Sequence, residues 1–287
     1  MRLGSLLAVG TLALFAFACG DGSGQTGPSL RRPSEASNDK TGSTTDEQTA
    51  DETPGGDGTD LPANDSPLPE PDADMDGVPD AKDCAPQDAT IAGTKLVDEM
   101  LTADRQTFAV APGFPASWTY GTAYMQNRLI DAGDMTLYTG DANLENVDIE
   151  VRAASTDVGA ITPRLRQLMI VVGASSVDGT TTAYGCGLEV VQGLAPEQRT
   201  SVVKLSGPPT AITTPPIERT ARGAVQEGED FIIRARVKTG TITCTAQQGL
   251  GTVTTATATV PDLKGAVGFY TRQTKAAFKS VKVCKLQ

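Results

Sequence analysis

Between residues 147 and 153 the sequence VDIEVRA alternates without interruption, with Val147, Ile149 and Val151 on one face and Asp148, Glu150 and Arg152 on the other. A period of two is what a strand with one buried face requires. FIIRARV at 231–237 and FKSVKV at 278–283 repeat it. Further short apolar or β-branched runs at 135–138, 167–172, 184–191, 201–205, 241–246, 252–260 and 266–270 are separated by Gly, Pro, Asn and Asp. Regular short strands with turn signals between them predict an all-β, two-sheet antiparallel sandwich or barrel over residues 95–287. Helical periodicity is weak, and 194–198 is the one modest candidate.

The stretch before this region, DADMDGVPDAKDC at 72–84, has a different logic. With Asp72 as position 1, carboxylates fall at 1, 3, 5, 9 and 12 (Asp72, Asp74, Asp76, Asp80, Asp83). Gly77 stands at 6 and the carbonyl of Val78 at 7. These are the ligand positions of a twelve-residue Ca²⁺ loop, in which alternate side chains point inward and the glycine permits a sharp turn. The flanks are not those of an EF-hand: Pro69 and Pro71 occupy the place of the entering helix, and Pro79 removes an amide. DxDxDGxxDxxDC over 71–89 instead resembles a thrombospondin type 3 repeat. That resemblance implies a helix-free calcium loop closed by a disulfide-bonded cysteine, to which Asp88 could add an oxygen.

The N-terminal part is an address and a spacer. Residues 1–18 hold Arg2 and an apolar run ending in small residues before Cys19, the pattern of an export signal. Ala16-Phe17-Ala18-Cys19 resembles the lipobox of bacterial lipoproteins, which implies a lipid on Cys19 and attachment to a membrane without spanning it. Gly20 after the cysteine implies the outer membrane or cell surface. Residues 19–70 are Gly, Ser, Thr, Asp, Glu, Asn and Pro with few apolar side chains, so ordering them would cost more than burial returns. The segment reads as a disordered acidic tether, with a reach on the order of 40 Å.

Charge and composition exclude several functions. Residues 20–89 carry 17 acidic and 4 basic side chains, whereas 90–287 carry 18 and 19. A near-neutral domain has no basic stripe for phosphates, so nucleic acid is not expected as a partner. The chain has no histidine, which rules out a Ser/His/Asp triad, a Cys/His dyad and a histidine zinc site within it. With Cys19 assigned to lipid, Cys84, Cys186, Cys244 and Cys284 remain, and four cysteines allow three pairings.

LVDEML, FPASWTYGTAYMQ, LYTGDANLENVDIEVRA, FIIRARVKTGTITCTAQ and GAVGFYTRQTKAAFKSVKV, in that order, resemble the concanavalin A-like (laminin G-like) jelly roll. The resemblance implies that the last strand returns beside the first. Cys84 would then pair with Cys284, stapling the calcium loop to the sandwich, and Cys186 with Cys244 on neighbouring strands. It also brings in β-glucanases, whose active strand reads Glu, apolar, Asp, apolar, Glu. Here the stretch is Asn146-Val147-Asp148-Ile149-Glu150, without the first carboxylate, and Glu145 falls on the opposite face. A non-catalytic module that binds carbohydrate, an extracellular polysaccharide or a glycoprotein, is therefore expected ahead of a structural or adhesive lipoprotein and of a glycoside-hydrolase-like enzyme. Trp118, Tyr120 and Tyr124 cluster at spacings that suit either a sugar platform or the core, and aromatic content is only 5%.

Overall fold

A computed structural model describes residues 69–128, 133–157, 166–191, 197–224 and 228–287. The export signal, Cys19 and the tether up to residue 68 lie outside the described residues, as do 192–196, which include the start of the helix candidate. Its end is not helical: Glu197 and Gln198 open a strand.

Among the described residues fifteen strands follow the acidic loop: β1 (Gly93–Met100), β2 (Phe108–Val110), β3 (Trp118–Tyr120), β4 (Met125–Asn127), β5 (Gly133–Tyr138), β6 (Val147–Asp157), β7 (Arg166–Val177), β8 (Thr180–Val191), β9 (Glu197–Gly207), β10 (Pro216–Ala224), β11 (Asp230–Lys238), β12 (Thr241–Gln248), β13 (Thr254–Thr259), β14 (Ala266–Arg272) and β15 (Lys275–Leu286). They form two antiparallel sheets. One is eight-stranded in the order β13-β12-β11-β6-β15-β4-β3, with β1 also paired to β15; the other runs β10-β9-β8-β7-β14-β5-β2. The last strand thus lies beside the first, as in a jelly roll.

Turn chemistry fixes two of the hairpins. Asp178 and Gly179 (φ 49° and 74°) join β7 to β8, and Thr239 and Gly240 (φ 47° and 73°) join β11 to β12. Two consecutive residues at positive φ give the type I′ twist that suits a tight hairpin, and Asp-Gly is a favoured pair for it. A different constraint acts at Gly268 in β14, where a Cβ would sit 1.9 Å from the Thr136 carbonyl oxygen of β5.

The two sheets are buried differently, and this decides where a site can lie. Between them, Ile149, Val151, Ile233 and Val283 of the eight-stranded sheet meet Leu168, Ile170, Val202 and Phe269 of the other. Each such side chain contributes about 1.5–3 kcal/mol relative to exposure. The outer face of the seven-stranded sheet is also covered: Met135, Met169, Val171, Val203 and Tyr270 pack beneath Phe114 and Ile212. That second layer explains the unbroken apolar run Leu168–Val172, since both faces of β7 are buried. The outer face of the eight-stranded sheet is polar.

Both disulfides are present, Cys84–Cys284 and Cys186–Cys244. The second does not link neighbouring strands as expected. Cys186 is on β8 and Cys244 on β12, in opposite sheets, so the bond crosses the sandwich interior. β10 was not foreseen. It is an edge strand whose Thr220 donates to the Thr255 carbonyl and whose Arg222 reaches the Ala246 carbonyl, so polar side chains bridge to the other sheet where apolar alternation would be sought.

One carboxyl is enclosed within the sandwich. Asp134 of β5 is fully buried, accepts a 3.0 Å hydrogen bond from Asn127 Nδ2, and lies by the Trp118 indole. Burial pushes its pKa from 3.8 up to about 7, against the smaller opposing effects of Trp118 and the Met135 amide. The folded chain therefore holds this proton more tightly than the unfolded chain does. Its stabilising contribution is complete below about pH 4 and is lost as pH rises through about 7. Asp134→Asn should remove that slope, each unit of pH being worth at most about 1.4 kcal/mol. Thermal melts should show the variant more stable than the parent at pH 8 and no more stable at pH 4. A parallel pair of pH profiles would contradict this.

Candidate metal centre and the sheet face beneath it

The acidic loop folds by its own carboxylates. Asp72 Oδ2 accepts from the Gly77 amide (3.0 Å), Asp74 Oδ1 from Asp76 (3.3 Å), Asp76 Oδ1 from Val78 (2.8 Å), Asp80 Oδ1 from Ala73 (2.8 Å) and Asp83 Oδ1 from Ala85 (3.1 Å). Gly77, at φ 91°, makes the sharp turn. The alternation is real: Asp72, Asp74 and Asp76 are half-buried while Ala73, Met75 and Gly77 are exposed, and Val78 is buried as an anchor.

Each of four carboxylates spends one oxygen on an amide and keeps the other. Asp72 Oδ1, Asp74 Oδ2, Asp76 Oδ2 and Asp83 Oδ2 are buried and have no hydrogen-bond partner. One oxygen from each of Asp72, Asp74 and Asp76 lies within 4.8 Å of the others. Burial, and then the charges of Asp76, Asp83 and Asp72, push the Asp74 carboxyl above its usual range. Acceptors that converge without a donor are the arrangement that a cation satisfies. A donor set made only of oxygens, with both nearby cysteine sulfurs in disulfides, fits a hard ion such as Ca²⁺ and not a soft one. Of the six residues expected as ligands, Asp72, Asp74 and Asp76 converge and Asp83 turns a buried oxygen inward. Asp80 caps the Ala73 amide, and Val78 contributes a buried side chain. Asp88 bonds Thr90 and lies in the field of Arg236 and Arg234.

The loop is joined to the sandwich through β1 and β15. Asp83 bridges Thr94, the Cys84 amide donates to the Gly93 carbonyl, and the Lys95 amide donates to the Lys82 carbonyl. Cys84 is bonded to Cys284 of β15, and Lys282 Nζ donates to the Cys84 carbonyl. This lands the loop on the polar outer face of the eight-stranded sheet. Beneath it Asp148 is only 4% exposed, held by Arg234 (2.6 and 2.5 Å) and Arg236 (2.9 Å). That hydrogen bond raises the Arg234 pKa. Beside the pair a cleft of about 200 Å³ opens, lined by Cys84, Ile91, Asp148, Glu150, Arg234 and Lys282.

Asp148 and Glu150 do share the outer face, as the alternation predicts, but they do not act together. Asp148 is neutralised by two guanidinium groups, and Glu150 is exposed. Arg234 and Arg236 are the residues that sequence reasoning missed. Their signal was the alternation of FIIRARV, which became specific only once β11 paired with β6 and set Arg236 opposite Asp148 and Arg234 opposite Glu150. The aromatic cluster belongs to the core side: Trp118 packs on Phe278, the Tyr120 hydroxyl bonds the Phe108 backbone, and Tyr124 is 37% exposed.

No protein-family model matches this sequence, and a comparison with curated proteins gives no match. Solved structures of similar shape include a carbohydrate-binding module, CBM66 from Bacillus subtilis (12% identity, TM-score 0.40, covering 61% of this chain and 93% of that one). Others are the Ca²⁺-bound exoplasmic/lumenal domain of VIP36 (10%, 0.44, 67% and 90%) and a Lotus tetragonolobus seed lectin (12%, 0.43, 67% and 99%). Similarity at this level says nothing about the chemistry of this chain's own residues.

If the orphaned oxygens hold a cation, millimolar Ca²⁺ should raise the melting temperature by several degrees, with one ion bound per chain by calorimetry. Replacing Asp72 and Asp76 by Asn should abolish both effects. In chelator the double variant should melt no lower than the parent, because like-charge repulsion has been removed. An unchanged calcium response in the variant would refute the site.

Proposed function

We propose that this chain is a non-catalytic glycan-binding module, displayed at the outer membrane or cell surface by a lipid on Cys19 and an acidic tether, with a structural Ca²⁺ held at Asp72, Asp74, Asp76 and Asp83. The ion would neutralise the converging carboxylates and fix the loop against β1 and β15, which is a structural duty and not a chemical one. The solved structures of similar shape include carbohydrate-binding proteins, but the reading rests on this chain's own surface.

The observation that carries it is the state of the outward carboxylates. Hydrolysis of a glycosidic bond commonly needs two acidic groups at a set separation, one of them free to exchange a proton. Asp148 is buried under the loop and ion-paired to both Arg234 and Arg236, and the other carboxylate in the clefts around Glu150, Asp98, lies across Lys282 from it and pairs with Lys95, so each acid beside Glu150 is matched by a cation. Around Glu150 the face offers hydroxyl groups and cationic N–H donors, which suit the contact of a polyhydroxylated ligand.

Incubated with a broad glycan panel, the protein should bind a subset of glycans and release no reducing sugar, and Glu150→Gln should leave that absence of turnover unchanged. A folded protein blank across the panel would defeat the binding reading. Release of sugar lost in Glu150→Gln would replace it with an enzyme. Labelling with radioactive palmitate should mark the parent and not Cys19→Ser; an unlabelled parent would remove the anchor.

A further inference from the structure

Beyond the docked loop, the outward face of the eight-stranded sheet carries a pattern that neither the loop nor the core requires. β13 and β12 set Thr259 opposite Thr241, Thr257 opposite Thr243 and Thr255 opposite Thr245. The residues between them, Ile242, Cys244, Ala256 and Ala258, point inward and are buried. Every one of these threonines therefore faces out. On β13 they are exposed and on β12 half-buried. Among the described residues none of these hydroxyls has a hydrogen-bond partner within the protein.

The next strand adds charge to each row. β12 and β11 place Thr241 beside Lys238, Thr243 beside Arg236 and Thr245 beside Arg234. Asp148 occupies Nε and Nη2 of Arg234 and only Nε of Arg236, which leaves guanidinium N–H groups over. Lys238 is exposed. Further along, the Arg234 row reaches Glu150 and Lys282, which line both the cleft beside the loop and a second cleft of about 190 Å³. A continuous polar track thus crosses the sheet, from a ladder of hydroxyls through a line of cations into two shallow clefts.

We infer that this track is a binding site for an extended acidic polysaccharide, its sugar hydroxyls meeting the threonine ladder and its carboxylates meeting Arg234, Arg236 and Lys238. The inference rests on the glycan-binding reading and names its site and ligand class. Two features select an acidic ligand. Neutral sugars are held largely by stacking on aromatic rings, and among the described residues Tyr124 is the one exposed aromatic. What the face offers instead is free hydroxyls, the N–H groups that Asp148 leaves over, and a net positive charge, with Arg234, Arg236, Lys238 and Lys282 set against Asp148 and Glu150, the complement of a uronate-bearing chain. Neighbouring strands are about 4.8 Å apart, a step close to the length of one sugar ring, so a chain laid across the strands meets a hydroxyl or a cation at each residue. Glu150 accepts from a ring hydroxyl at the end of the track.

The test uses the full chain in detergent, with hyaluronan oligomers, carboxyl-reduced hyaluronan and neutral dextran as probes, at low and at high salt. Hyaluronan should bind, at least tenfold more weakly after carboxyl reduction and more weakly as salt rises. Thr243→Val with Thr257→Val should cost about tenfold or more, whereas Thr→Ser at both should restore most of the binding. Val keeps the strand preference and the shape, so melting temperature should be unchanged. Arg236→Gln should weaken binding and flatten the salt dependence, and Thr180→Val, outside the track, should do nothing. If the glycan panel is positive but these variants bind as the parent does, the site is wrong while the glycan reading stands. Equal binding to dextran overturns the acidic class. No binding to hyaluronan at low salt overturns the proposal, and a blank panel overturns the glycan reading with it.

Discussion

Strand β15 is the element on which the rest of the structure depends. It pairs with β6 along one edge and with β1 and β4 along the other, so removing it would separate the chain's first strand from its centre. Its inward side chains, among them Phe278, Val281 and Val283, enter the core between the sheets, while Lys282 and Cys284 hold the acidic loop. Closing a loop with a sequence separation of 200 confines the unfolded chain by about 5 kcal/mol in the chain-entropy model. The two parts of the fold, loop and sandwich, are thus tied by β15.

The unequal burial of the two sheets follows from how each sequence is written. Where only one face is buried the chain alternates, as in β6, β11 and β13, and the polar members of the alternation form the open face. Where both faces are buried, as in β7 and β14, polar side chains are few and close backbone approach selects glycine, as at Gly268. One sheet serves as the packed layer and the other as the presenting layer. Asp148 with its two arginines marks the border between covered and open parts of that layer, since leaving the buried Asp148 carboxylate unpartnered would be strongly destabilising, by about 3–5 kcal/mol.

This contrast also explains what could be read in advance. VDIEVRA, FIIRARV and FKSVKV gave their strands and faces because a period of two needs no knowledge of partners. The convergence of Asp72, Asp74 and Asp76 follows from spacing for a similar reason, the loop being local and closed by hydrogen bonds within a few residues. Asp80 shows what spacing leaves out: one of its oxygens accepts from the Ala73 amide, a contact that the ligand pattern does not announce. β10 stayed hidden because its polar side chains are spent on contacts with the opposite sheet. The Cys186–Cys244 bond needed knowledge of which strand belongs to which sheet. The threonine ladder was in plain view as TITCT and TTATAT, but two alternating runs become one surface only when their register is known.

The loop and the sheet face beneath it are coupled by geometry. A cation bound by the folded loop and not by the unfolded chain stabilises whatever unfolds with the loop. Because residues 82–84 pair with 93–95, and Cys84 is bonded to β15, the loop cannot come away from the face without disturbing β1. Ion binding would therefore stiffen the border at Asp148, from which the rows of Arg234 and Arg236 run outward. An ion at Asp72–Asp83 would for this reason set the rigidity of the sheet at the Asp148 end, while Thr243 and Thr257 stand at the other end of the same rows.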